Sequence, residues 1–200
     1  MRAALVLASS SPRRRELLAS LGLTFSVRHA DVDESLLPSE SAFDAAERLA
    51  RAKAAAVSDA PDGALVVAAD TLVVLEGEAL GKPRDRADAR RMLSALAGRA
   101  HEVVTGVACA RGGRIVSGRE TTRVVFAPMS LAEIAEYTES GEPDDKAGAY
   151  GLQGIGGFFV ERVEGSPSNV VGLPVRLFYR LASELGVDLA RPVTSGLLRP

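Results

Sequence analysis

The chain has 200 residues, enough for one domain or for two lobes on a shared core. Hydrophobic residues make up 46% and charged residues 25%, which argues against disorder. The formal net charge is −2, so no basic excess favours a nucleic-acid backbone and any phosphate site has to be local.

A single cysteine, Cys109, excludes an internal disulfide. His29 and His101 lie far apart, which leaves too few ligands for a zinc site built on His and Cys. A metal here should be oxygen-liganded, such as magnesium or manganese. The N-terminal apolar run is short and ends in Ser-Pro-Arg, unlike a signal peptide. The run Ala64 to Leu75 is broken by Asp70 and Thr71 and is too short to span a membrane. The cytoplasm is the expected compartment.

Residues 3–8, AALVLA, read as a short buried strand. Ser11 then caps a helix with Pro12 in its first turn, Leu17, Leu18 and Leu21 on one face, and Gly22 as its stop. Phe25–Arg28 reads as a second strand. Residues 42–58 form a helix with Ser41 and Asp44 at its start. Its stripe is Phe43, Ala46, Ala50, Lys53 and Val57. The strand run ALVVAADTLVVL, a turn at Glu76-Gly77-Glu78 and a helix over 85–96 follow. Glu102–Ala110 and Ile115–Phe126 read as a hairpin around Gly112-Gly113. Ser130 with Glu133 caps a fourth helix that ends near Gly141. A glycine-rich stretch, DKAGAYGLQGIGG, leads into a strand FFVERV, and Pro174 opens a last helix with Leu177, Phe178, Leu181 and Leu185 inward. The pattern is α/β or α+β around a mixed sheet, one domain over residues 1–190 with a tail at 191–200.

Five features carry chemistry. SSSPRRR follows a strand and opens a helix, where backbone N–H groups already favour an anion. Ser9 and Arg13 add donors, and arginines at that end oppose the helix dipole, a local conflict that points to function. The plain alternative is a capped helix with a solvated basic turn. Lys53 sits on an apolar stripe, where lysine is rarely buried unpaired. From the pattern alone, a lysine snorkelling from the stripe's edge is the simpler account. Asp70 interrupts an apolar strand and has to be paired, metal-bound or at a cleft. Thr71 points to the opposite face of an unbroken strand, so both serve one ligand only if the backbone bends. Lys82, before Pro83, can project from extended backbone, or be an ordinary solvated lysine. In the glycine-rich stretch the backbone can approach a ligand closely. There Tyr150 could stack on a base and Gln153 could read a base edge. No His–Asp relay serves Ser9, and neither a Walker A motif nor a strand-linked G-x-G-x-x-G occurs. The residues alone support a phosphate ligand with metal-assisted chemistry.

Several motifs in order resemble the Maf family: LASSSPRRRELL, AADTLVVLEGEALGKPRD, HEVVTGVA and DKAGAYGLQGIGGFFVERVEGSPSNVVGLP. The resemblance runs from about Leu7 to Pro174. It implies an elongated, twisted mixed sheet flanked by helices, with two lobes and a central cleft. It also implies hydrolysis of a nucleoside triphosphate between the α and β phosphates, with a divalent cation, Mg2+ or Mn2+. Ser9, Arg13, Lys53 and Lys82 fall where the family binds phosphate, Asp70 on its catalytic acid-base position, and Glu34 near a further metal-associated carboxylate. Asp70 and Glu34 are thus the implied metal ligands. Arg13, Thr71 and Gln153 match positions tied to substrate choice, and DKAGAYGLQG resembles the subgroup acting on dTTP and UTP. Pro167 departs from relatives that carry an aromatic residue there. A homodimer is implied; nucleic acid and membrane are not. Two rival readings stand beside this one: a house-cleaning pyrophosphatase for ITP and XTP, and a nucleotide-binding regulator of septum formation and cell division.

Overall fold

The computed structural model describes residues 4–57 and 60–190. The expected tail at 191–200 and the expected helix end at Ser58 lie outside the described residues. A seven-stranded mixed sheet runs in the order β2 (Ser26–Arg28), β1 (Leu5–Ala8), β3 (Leu65–Leu75), β5 (Ala100–Arg111), β6 (Arg114–Phe126), β7 (Val160–Glu164), with β4 (Glu78–Leu80) also on β3. The first three are parallel to one another; the remaining pairs are antiparallel. The β5–β6 hairpin turns at Gly112 and Gly113, both at positive φ, the conformation that glycine adopts freely.

Among the described residues, six α-helices pack around the sheet. On one face, alternate residues of β3 feed two apolar clusters. Leu65, Val67 and Ala69 pack with α1 (Pro12–Ser20) and α6 (Val175–Glu184). Val73 and Leu75 pack with α3 (Arg86–Leu96) and α4 (Leu131–Glu139). Thr71 lies between the clusters. On the other face, Val66, Ala68 and Val74 meet α2 (Ala42–Ala56). Each of these first four helices begins at a side-chain cap: Ser11, Ser41, Asp85 and Ser130, the last with the full box through Glu133.

One local expectation needs correction. FFVERV is only partly a strand, because Ile155–Phe159 coils as a 3-10 segment before β7. Gly157 packs so closely on the Leu152 carbonyl that a Cβ there would sit 2.7 Å away, so this coil needs glycine at that position. The segment after Ser166 also forms a helix, α5 (Pro167–Val171), ended by Gly172 at φ 116°. Among the described residues, no helix is long and apolar enough to cross a membrane.

Candidate active site

The cleft arises from a gap in strand pairing. β1 registers against β3 only as far as Leu7↔Val67, and β4 begins only at Val73↔Leu80. Between them, residues 68–72 have a strand on one side only. The β3–β5 ladder is continuous through Asp70↔Gly106 and Thr71↔Thr105, with no bulge or register shift between them. Both Asp70 and Thr71 nonetheless line one cleft of about 500 Å³, because an open edge can be reached from either face. That corrects the requirement for a bend. The volume suits a nucleotide-sized ligand.

On the α2 face, Lys53 Nζ donates to Asp70 Oδ1 at 2.5 Å and pairs with Glu34 Oε1 at 2.6 Å. Lys53 is 8% and Asp70 7% exposed, so the lysine does not snorkel away; it is buried and paired, as an ion in an apolar stripe has to be. Partial burial pushes the Glu34 carboxyl up, but the hydrogen bond and charge of Lys53 outweigh it and hold Glu34 below its ordinary value. Lys82 lines the same cleft on an exposed turn and adds to that stabilisation.

At the α1 end, Ser9 Oγ accepts from Ser11 N at 3.2 Å and from Arg14 Nη1 at 3.2 Å. With both acceptor sites used, its O–H is left to donate outward, the polarity a phosphate oxygen needs. Arg13 pairs with Asp145 at 3.4 Å, bridging α1 to the 3-10 turn Glu142–Asp145.

Sequence reasoning missed Arg14. Its guanidinium donates to Gly172 O at 2.7 Å, Thr71 Oγ1 at 3.0 Å and Ser9 Oγ. Burial lowers its pKa, and Asp70 opposes that shift. Thr105 Oγ1 gives its proton to Asn169 O at 2.9 Å, so at the 3.0 Å contact the donor is Thr71. Asn169 continues the seam to Thr122 Oγ1 at 2.9 Å. The only signal in the sequence was three consecutive arginines, and a helical turn sends each in a different direction.

Tyr150 is a second correction. It borders the cleft, but its ring is core: 5% exposed, hydroxyl 2.8 Å from His101 Nε2, and edge-to-face with Phe126 at 4.7 Å. It is not a stacking platform. Gln153 is exposed and lines the cleft as expected. The expected site residues Ser9, Arg13, Glu34, Lys53, Asp70, Thr71, Lys82 and Gln153 all border this one cavity.

A mixed α/β sheet with a gap at its central strand, and cations gathered around two carboxylates, defines a protein built to hold a phosphorylated ligand. A family model described as Maf-like protein matches residues 4–185, and the chain belongs to the Maf family. A dTTP/UTP pyrophosphatase of Anaeromyxobacter dehalogenans is 58% identical over 190 residues, covering 92% of this chain and 95% of the relative. A dTTP/UTP pyrophosphatase of Anaeromyxobacter sp. (strain Fw109-5) is 58% identical over 176 residues, covering 86% of this chain and 84% of the relative. Among solved structures, the Staphylococcus aureus Ham1 protein aligns with a TM-score of 0.44 and 16% identity, covering 94% of this chain and 92% of the other.

Proposed function

We propose that this chain hydrolyses dTTP and UTP to the monophosphate and pyrophosphate. The names of its relatives support the substrates. The observation that carries the chemistry is Lys53 bridging Asp70 and Glu34 at the open edge of β3.

Among the described residues there is no group of three or more His, Cys, Asp or Glu side chains that could hold a metal ion. Two carboxylates on one cleft wall still fit magnesium or manganese, which take one or two carboxylates and fill other positions from phosphate and water. Asp70 and Glu34 would hold the ion. When bound, it supplies positive charge against the phosphates and the departing pyrophosphate.

The side chains account for the rest. The Ser9 O–H donates to a phosphate oxygen. Arg13, Lys53 and Lys82 offset phosphate charge, which grows on the leaving group as the bond breaks. Asp70 Oδ1 is held by Lys53, and Oδ2 orients the attacking water and takes its proton. Gln153 reads the edge of the pyrimidine. Thr71, its proton committed to Thr105, offers only an acceptor to the ligand. Residues 1–190 act as one domain, and two copies form the working unit, which light scattering would test.

The deciding experiment is pyrophosphate release from dTTP, UTP, CTP, 7-methyl-GTP, ITP and XTP, with magnesium or manganese and with chelator. Metal-dependent release from dTTP and UTP is expected. Release mainly from ITP or XTP would move the chain to the purine house-cleaning class. UTP binding without turnover would make it a nucleotide-binding regulator.

A further inference from the structure

Gln153 projects from a stretch, Gly151–Gly156, that belongs to no strand and no α-helix. One carboxylate anchors it. Glu142 Oε2 accepts from Ile155 N at 2.7 Å, and Glu142 Oε1 accepts from Gly156 N at 3.1 Å and from the Tyr137 hydroxyl at 2.9 Å. Tyr137 Oη accepts in turn from Gly151 N at 3.3 Å. An acid and a phenol therefore grip the backbone on both sides of Gln153.

The fit is close. A Cβ on Gly154 would lie 2.3 Å from Glu142 Oε2, and one on Gly156 would lie 2.5 Å from Tyr137 Oη. Burial pushes the Glu142 carboxyl up, but the two backbone N–H donors and Tyr137 reverse the shift and keep it charged. Charge-assisted bonds of this kind are stronger than neutral ones. Glu142 itself is absent from the cleft lining, whereas Gln153 is part of it.

We infer that Glu142 is a positioning residue for base selection: it fixes Gly151–Gly156 so that Gln153 meets a uracil or thymine edge in one register. This rests on reading the cleft as a pyrimidine nucleoside triphosphate site. A uracil edge presents carbonyl, N–H, carbonyl, and one amide matches the N–H and a neighbouring carbonyl. Cytosine presents a ring acceptor and an amino donor, so the amide has to reverse. Anchoring the segment keeps the Gln153 amide at hydrogen-bonding distance from that edge, and a loose segment loses the contact together with the preference it carries.

The test is kcat and KM for UTP and CTP in the wild type and in Glu142→Ala, Glu142→Gln, Tyr137→Phe and Gln153→Ala. Glu142→Ala should raise KM for UTP about tenfold, the scale of losing a charge-assisted bond, with kcat little changed. The UTP-over-CTP preference should shrink by a similar factor. Glu142→Gln and Tyr137→Phe should lie between the wild type and Glu142→Ala. A parallel fall in kcat for both nucleotides would mean damage to the fold and would overturn the inference. A preference lost in Gln153→Ala but intact in Glu142→Ala would overturn the positioning role alone. A preference intact in Gln153→Ala would remove base reading by Gln153 and the inference with it.

Discussion

Asp70 and Gly106 stand directly opposite each other in the β3–β5 ladder, and the missing side chain at Gly106 lets α2 settle on the sheet beside Asp70. A Cβ at Gly106 would lie 2.1 Å from the carbonyl oxygen of Ala46 in α2. The same helix carries Lys53 to Asp70. Gly106→Ala should therefore lift α2 and cost about 1–3 kcal/mol of stability, the usual range for overpacking. It should also reduce turnover at temperatures where the variant stays folded, since Lys53 moves with its helix. Thermal melts beside pyrophosphate release would check both. Unchanged turnover would mean that the Lys53–Asp70 contact tolerates a shift of its helix.

The Lys53–Asp70 pair serves folding and chemistry in separable ways. Lys53→Met leaves Asp70 without its cation, and removing one partner of a buried pair costs about 3–5 kcal/mol; the low end applies here because the pair borders the cleft. Asp70→Asn in the Lys53→Met background removes the stranded charge and should recover much of that stability. Turnover should not recover. Asp70→Asn alone should lose at least about a hundredfold in turnover, as expected for a general base. Urea titrations paired with turnover would show the split. Near-normal turnover in Asp70→Asn would end its assignment as the base.

How far the site could be read beforehand depends on what each residue violates. Lys53 and Asp70 broke local rules, a cation on an apolar helix stripe and a carboxylate inside an apolar strand, and such conflicts show in a one-dimensional pattern. The helix starts at Ser11, Ser41 and Ser130 were equally legible, because a cap is made by neighbours in the chain. Arg14 was not, because its partners Thr71 and Gly172 are 57 and 158 residues away. The shared access of Asp70 and Thr71 was also out of reach, since it depends on where β1 stops and β4 starts along β3. Tyr150 misled for a related reason: its place among glycines suggested a ring free to stack on a base, while the ring packs on His101 and Phe126 of the distant β5–β6 hairpin.

Arg14 should be intolerant of lysine. One planar group reaches Ser9, Thr71 and the Gly172 carbonyl, and a single ammonium cannot span all three. Arg14→Lys keeps the charge but leaves polar atoms unpaired, each worth about 1–3 kcal/mol. We expect kcat/KM to fall at least about tenfold and the melting temperature to drop. If Arg14→Lys matched the wild type in both, the hydrogen-bond fork would carry no function and charge alone would suffice.

His101 sets a pH limit on the fold. Burial lowers its pKa from the ordinary 6.5 to about 4, with a backbone contact at Arg99 offsetting part of the effect. The folded state therefore keeps His101 neutral while the unfolded chain takes up a proton from about pH 6.5 downward. Between about pH 6.5 and 4 the unfolded state binds more protons, so stability falls as pH falls through that window. Below about 4 both states are protonated and this group adds no further loss. At pH 4.5 the cost relative to pH 7 is about 2–3 kcal/mol. Glu34, held below its ordinary value by Lys53, works in the same direction: its contribution is present above the unfolded value and is lost as pH falls through the folded one. Denaturant melts at pH 7 and 4.5 should show the drop, and His101→Gln, which titrates at neither pH, should flatten it. An equal drop in His101→Gln would assign the acid sensitivity to the carboxylates instead.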